Sequence, residues 1–409
     1  MLKRWNRIET WLTLGVAGVG LILLGLAGLW VYISATAKPL HPNAQEVPSA
    51  SLSAPSSKWA GAVEQARQIA RAGLSEQNLP GLSVAVAAGD EIVWAEGFGW
   101  TDIEKKSPVA PDTRFRIGTA STAFTSAAAG LLLEQGRLSL DEPIQKHVPE
   151  FPEKQWPVTL RQVMAHVAGL PNDGGDEGAL FGQHCDRPVD ALQHFAGRSL
   201  RFEPDTEFSY SNYGWIVVSA AIEKASDELF LAFMRKHIFD PLGMDDTDAD
   251  SSIAAAADRA TSYFPRFAAD PRYGPDVMRD IDLSCYAGSS VFVSTPSDLV
   301  RFGIAVHSGK LLKPETVHLL QASQRLKSGA ETGYGLGWDL ETPTVAGQPM
   351  RVVGHDGELL GGMMSSLMTL ADQQLVVSVI SNTSYADTSA LALKIAEAFT
   401  KQPTAASSH

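Results

Sequence analysis

The sequence has only two cysteines, Cys185 and Cys285, and no Cys-x-x-Cys pair or His-Glu-x-x-His, so no donor set has the usual zinc spacing. His184 beside Cys185 is too small a set to change that, and no metal is expected. Basic runs are also missing: 33 Lys and Arg against 46 Asp and Glu leave a formal charge of -13. That balance opposes phosphate neutralisation and excludes nucleic acid as a partner. Glycine-rich phosphate loops are absent, because Gly97-Phe-Gly99 is not followed by a third glycine in register. No cofactor is expected. No repeat period stands out. The run Asp245-Asp246-Thr247-Asp248-Ala249-Asp250 looks like a calcium loop until Ser251 and Ala257 replace its glycine and glutamate. It is expected to be a solvated acidic loop.

What is present is a globular chain with an apolar leader. With 44% apolar and 19% charged residues, 409 residues make either one large two-lobed domain or two smaller ones. Trp11 to Ile33 carries no charge, and Lys3, Arg4 and Arg7 precede it. Residues 1–33 therefore read as a membrane anchor with the rest outside the cytoplasm. The alternative is a cleaved signal, since Ala35-Thr36-Ala37 is an acceptable cleavage site, and the product would be secreted. Residues 34–57, rich in Pro, Ser and Ala, read as a flexible linker without a fold. In an exported chain Cys185 and Cys285 either join or remain separate buried thiols.

The globular part extends over residues 58–402, followed by a tail at 403–409. Residues 59–74 have helical periodicity, and Leu82–Ala88, Gly89-Asp90 and Glu91–Ala95 read as a hairpin. Residues 120–135 are apolar nearly all round, which predicts a core helix ending at Gly136. Residues from about 137 to 290 read as an inserted all-helical lobe. Strands return at 350–353, 363–370 and 375–381 before a closing helix at about 389–400. The expected fold is α/β (α+β), with an antiparallel sheet built from both chain ends and flanked by helices.

Three short motifs occur in a telling order. Thr119-Ala-Ser-Thr122 opens the core helix, Tyr210-Ser211-Asn212 lies in the lobe, and His355-Asp356-Gly357 lies on a late strand. Gly169-Leu-Pro171, Pro241-Leu-Gly-Met244, Ser294-Thr-Pro-Ser-Asp298 and Tyr334-Gly-Leu-Gly-Trp338 accompany them. Over roughly residues 60 to 400 this pattern resembles the serine β-lactamase and penicillin-binding-protein (β-lactamase-related) family. Val148-Pro-Glu-Phe-Pro-Glu-Lys154 further resembles the branch containing the β-lactamase-like protein of animal mitochondria.

The resemblance implies a transpeptidase-like fold and assigns the site residue by residue. Thr119 and Thr122 stand where the family has Ser-x-x-Lys, whose lysine helps deprotonate the serine one helical turn earlier. Tyr210 is implied in proton transfer and Asn212 in positioning a substrate amide. His355 and Gly357 match the strand that lines the acyl site, and the N–H of Glu358 is implied to form an oxyanion hole with that of Thr119. Thr119 is also placed to act as the helix N-cap. No shift of register restores a Ser/Lys pair, because Phe124 follows Ser121 by three residues, and Ala129 and Gly130 follow Ser126 by three and four. The resulting expectation is a membrane-tethered, extracytoplasmic serine-hydrolase-like pseudoenzyme that binds small-molecule or peptide-like acyl ligands, such as cell-wall fragments, with turnover weak or lost. The alternative is an active acyl hydrolase (esterase, peptidase or β-lactamase-like) using Thr119 with Tyr210 or His355.

Overall fold

The computed structural model describes residues 2–36, 39–172, 179–250, 259–266, 271–359 and 362–401, with side chains from residue 14 onward. Its central element is an antiparallel sheet of β1 (Ser49–Ser51), β2 (Gly81–Ala88), β3 (Glu91–Asp102), β4 (Asp339–Glu341), β5 (Val352–Leu359), β6 (Met363–Leu370) and β7 (Leu375–Ser381). These run in the order β1-β3-β2-β7-β6-β5-β4, with Ser107–Pro108 adding to β3. The expected closure of the sheet by both chain ends is seen in the register, where Val84 pairs with Val379 and Leu82 with Ser381. Both β2 and β7 are buried on both faces, which explains their nearly continuous apolar sequences.

The principal helices are α1 (Leu2–Thr36), α2 (Ala60–Glu76), α3 (Ser121–Glu134), α4 (Asn212–Ser226), α5 (Pro296–His307) and α6 (Thr388–Thr400). On one face of the sheet, Val63, Ala66, Ala70 and Leu74 of α2 meet Leu391, Ile395 and Phe399 of α6 over Val84, Val86 and Val377. The opposite face carries a larger core around α3. There Phe124 is fully buried, with its ring 4.7 Å from Phe302 of α5 and 5.5 Å from Phe239. Burial all round α3 accounts for its lack of a polar stripe. Gly136 ends this segment at φ +66°. Leu14–Thr36 of α1 is long and apolar enough to cross a membrane; Ala37 lies outside the described residues.

Three local expectations are corrected. The lobe at 137–290 is not all-helical: Asp248–Ala249 pairs with Phe292–Ser294, and Tyr263–Pro265 pairs with Pro275–Val277. The linker at 34–57 is docked in part. β1 pairs with Glu96–Phe98 of β3, His41 and Val47 are buried, and the Leu40 N–H donates to Asn78 at 2.7 Å. Without β1, this length of β3 would present an open edge. Asp250 is not solvated: its buried carboxylate bonds Arg116 at 2.6 Å and also Arg259, a pairing that a buried charge requires. Ser251, Ala257 and the tail at 403–409 lie outside the described residues.

Cys185 and Cys285 form a disulfide with a Cα–Cα distance of 4.9 Å, which resolves the open alternative. The bond ties the segment carrying Phe181 to the one carrying Tyr286, and the two rings lie 5.3 Å apart.

Candidate functional site

A cleft of about 340 Å³ opens where the start of α3, the start of α4 and the outer edge of β5 converge. It is lined by Thr119, Tyr210, Asn212, His355, Gly357 and Glu358, so six of the seven expected site residues meet there. The seventh, Thr122, is buried behind them and adjoins the Tyr210 hydroxyl.

Two glycines allow β5 to approach the turn before α3. Gly118 holds φ +53°, and a Cβ there would lie 2.4 Å from the Glu358 carbonyl oxygen. A Cβ on Gly357 would lie 2.0 Å from the carbonyl oxygen of Ile117. This contact brings the Thr119 hydroxyl between two backbone groups of β5. It donates to the Asp356 carbonyl oxygen at 3.3 Å and accepts from the Glu358 N–H at 3.1 Å. The expected N-cap role is therefore not the one observed. Ala120 occupies the N-cap position and caps with no side chain, because Thr119 sits one residue earlier in a 3-10 turn.

Ser211 caps α4 instead. Its hydroxyl accepts from the Gly214 N–H at 3.3 Å and donates to the Pro171 carbonyl oxygen at 2.7 Å. The cap sets Tyr210 and Asn212 on either side of it. Asn212 accepts from the Ser289 hydroxyl through its carboxamide oxygen at 3.0 Å, and its backbone N–H donates to Asn172 at 2.9 Å. Tyr210 packs against His166 with 4.0 Å between ring centroids and the planes tilted by 32°. Its hydroxyl oxygen is buried without a hydrogen-bond partner of good geometry among the described residues, as is that of Thr122. Burial pushes the Tyr210 phenol above its usual value, outweighing the opposite pull of the nearby Thr122 and Thr119 hydroxyls.

His355 is occupied on both sides. Its Nδ1 lies 2.6 Å from the Asp356 carbonyl oxygen, which only accepts, so this nitrogen carries the hydrogen. Nε2 then receives the Tyr334 hydroxyl at 3.0 Å. Burial raises the Tyr334 phenol well above its ordinary range. Neither ring nitrogen is left to take a proton from Thr119. No lysine or arginine lines the cleft among the described residues.

Sequence reasoning missed His166 and Asp339 and quoted Tyr334 only as part of a supporting segment. His166 is buried at φ +59°, receives the Ser211 N–H on Nδ1 at 3.1 Å and faces the Trp215 indole N–H from Nε2 at 3.3 Å. Asp339 accepts the Asp356 N–H at 3.3 Å where β4 leaves the edge of β5. Neither residue stands in a motif. The available signals were adjacency alone: His166 lies three residues before Gly169-Leu-Pro171, and Asp339 directly follows Trp338.

Comparison with known proteins identifies the family and the fold. A family model described as Beta-lactamase matches residues 66–400. Penicillin-binding protein 4* of Bacillus subtilis is 28% identical over 67% of this chain and 62% of its own length, so the match leaves more than a third of that relative uncovered. The mitochondrial serine beta-lactamase-like protein of Homo sapiens is 25% identical over 84% of this chain and 80% of its own. Among solved structures, a D-amino acid amidase from Ochrobactrum anthropi aligns with TM-score 0.70 and 21% identity over 83% of this chain and 98% of that one. An octameric penicillin-binding protein homologue from Pyrococcus abyssi aligns with TM-score 0.69 and 22% identity over 81% of this chain and 76% of that one.

Proposed function

Because this chain belongs to the Beta-lactamase family, we propose that it keeps the family cleft as a binding site for peptide-like or acyl ligands, such as cell-wall fragments, and turns them over poorly if at all. One observation carries the reading: the Thr119 hydroxyl lies between the Asp356 carbonyl and the Glu358 N–H, with no amine lining the cleft among the described residues. An alcohol attacks only when a base takes its proton. Thr122 supplies a second alcohol in place of an ammonium, and the phenol of Tyr210 is held protonated by burial. The Glu358 N–H would have to exchange its bond to the hydroxyl for one to a carbonyl oxygen before serving in an oxyanion hole. Loss of a coupled catalytic group costs ~10⁴ to 10⁶ in turnover.

Two features support a location outside the cytoplasm. The apolar Leu14–Thr36 helix is a candidate membrane tether, and the disulfide suits an oxidising compartment. The catalytic reading is tested with detergent-solubilised protein, a fluorescent penicillin and a p-nitrophenyl ester. We expect ligand-induced stabilisation by acyl amides and ester hydrolysis at the background rate, unchanged in Thr119→Ala. Rapid turnover that disappears in Thr119→Ala refutes the reading in favour of an active hydrolase.

A further inference from the structure

A second cavity, of about 220 Å³, shares no lining residue with the cleft. Val353 forms part of its wall and lies on the same face of β5 as His355, two residues on, so the cavity is on the cleft's side of the sheet, toward the start of the strand. The end of α5, the short helix Pro314–Leu320 with Gln321 after it, and the turn that carries Asp372 complete the wall.

The polar groups of this wall lack partners. Gln321 is only 5% exposed, and its carboxamide Nε2 is buried with no hydrogen-bond acceptor among the described residues, an arrangement that costs free energy until something accepts from it. Nε2 of His307 is buried and unpartnered in the same way. Nδ1 of that ring lies 3.0 Å from the Gly303 carbonyl oxygen and so carries the hydrogen, which leaves Nε2 as an acceptor. Burial foremost, with the Arg351 charge adding to it, lowers the His307 pKa and keeps the ring neutral. Arg351 is exposed and donates to the Gln321 carbonyl oxygen at 3.2 Å. Arg116, Arg301 and Arg325 each close on a carboxylate. Arg351 and the exposed Asp372 line one cavity, yet among the described residues neither enters a salt bridge.

We propose that this second cavity binds a free α-amino acid with an apolar side chain, held by Arg351 and Gln321 at its carboxylate and by His307 and Asp372 at its ammonium group. A carboxylate accepts from the guanidinium and from the Gln321 amide, and such charge-assisted bonds are the strong ones. The ammonium donates to Nε2 of His307 and is drawn by the Asp372 charge. Val306, Val317 and Val353 give the side chain an apolar wall. A simple carboxylic acid leaves His307 without a donor, and a simple amine leaves Gln321 without an acceptor. The site is separate from the family cleft and does not depend on what that cleft binds.

Isothermal titration calorimetry of the full chain in detergent at pH 7 tests this with leucine, leucine amide and N-acetylleucine, which offer both charged groups, the ammonium alone and the carboxylate alone. We expect leucine to bind at one site and each blocked probe to bind there at least ~10-fold more weakly, as loss of a hydrogen bond to a charged group implies. Arg351→Gln, at an exposed position, should weaken leucine by at least ~10-fold, and Gln321→Leu should do the same where it folds. Asn212→Ala, in the family cleft, should leave leucine binding unchanged. No binding of leucine, or leucine bound no better than its blocked forms, overturns the inference. So does binding that survives Arg351→Gln or is lost in Asn212→Ala, which would place leucine in the cleft.

Discussion

His166 is the residue whose chemistry is most constrained by its surroundings. Burial, and secondarily the neighbouring His355, hold its pKa well below the ordinary histidine value. Both ring nitrogens face N–H donors, from Ser211 and Trp215; the neutral ring has one acceptor nitrogen to offer them, and protonation would remove it. The folded pKa lies below the unfolded value near 6.5, so the stabilisation is complete above that value and is lost as pH falls through and below it. The melting temperature should therefore fall between pH 7 and pH 5, and His166→Asn, which tolerates the left-handed backbone and does not titrate, should flatten that slope. A slope unaltered in the variant assigns the acid sensitivity to other buried histidines such as His41 and His307. Sequence could not announce His166, because nothing in the residues around it specifies which rings will close over it. Tyr210, Asn212, His355 and Gly357 were legible because each sits at a fixed offset in a short motif. The offsets did not show that Tyr334 engages Nε2 of His355, a contact made across 21 positions of chain.

Among elements, the β2–β3 hairpin and α3 were readable from local pattern. An apolar run broken by Gly89-Asp90 has few alternatives, and a helix without a polar face has to be enclosed. Where sequence reading failed, at β1, the cause is tertiary. Three small residues, Ser49-Ala50-Ser51, carry no strand signal and pair only because β3 offers an edge. The short strands within the lobe were invisible for the same reason, since Asp248–Ala249 exists by virtue of Phe292–Ser294. Val47, 3% exposed, packs into the core beneath α2 and anchors the approach to β1. Its truncation in Val47→Ala should cost about 1.5 kcal/mol, two buried methyl groups' worth, as measured by urea unfolding. A cost near zero returns residues 39–51 to the status of a loose tether.

For the molecule as a whole, the disulfide is the long-range constraint with the clearest measurable effect. It closes a loop between residues 100 positions apart, and in the chain-entropy model such a loop is worth about 4 to 5 kcal/mol. Reductant, or Cys185→Ser with Cys285→Ser, should lower the melting temperature and weaken ligand binding, because Phe181 and Tyr286 form part of the cleft wall beside the bond. If the reduced protein melts unchanged, the bond is not a stabilising device. A different consequence arises from β7 being the partner of β2. A ribosome releasing this chain from its amino end delivers β2 and β3 long before β7 exists, and the bare margin of β2 must be shielded until β7 has been made. Premature stop codons or proteolytic nicks upstream of Leu375 would therefore yield sticky, aggregation-prone fragments rather than smaller working versions of the protein.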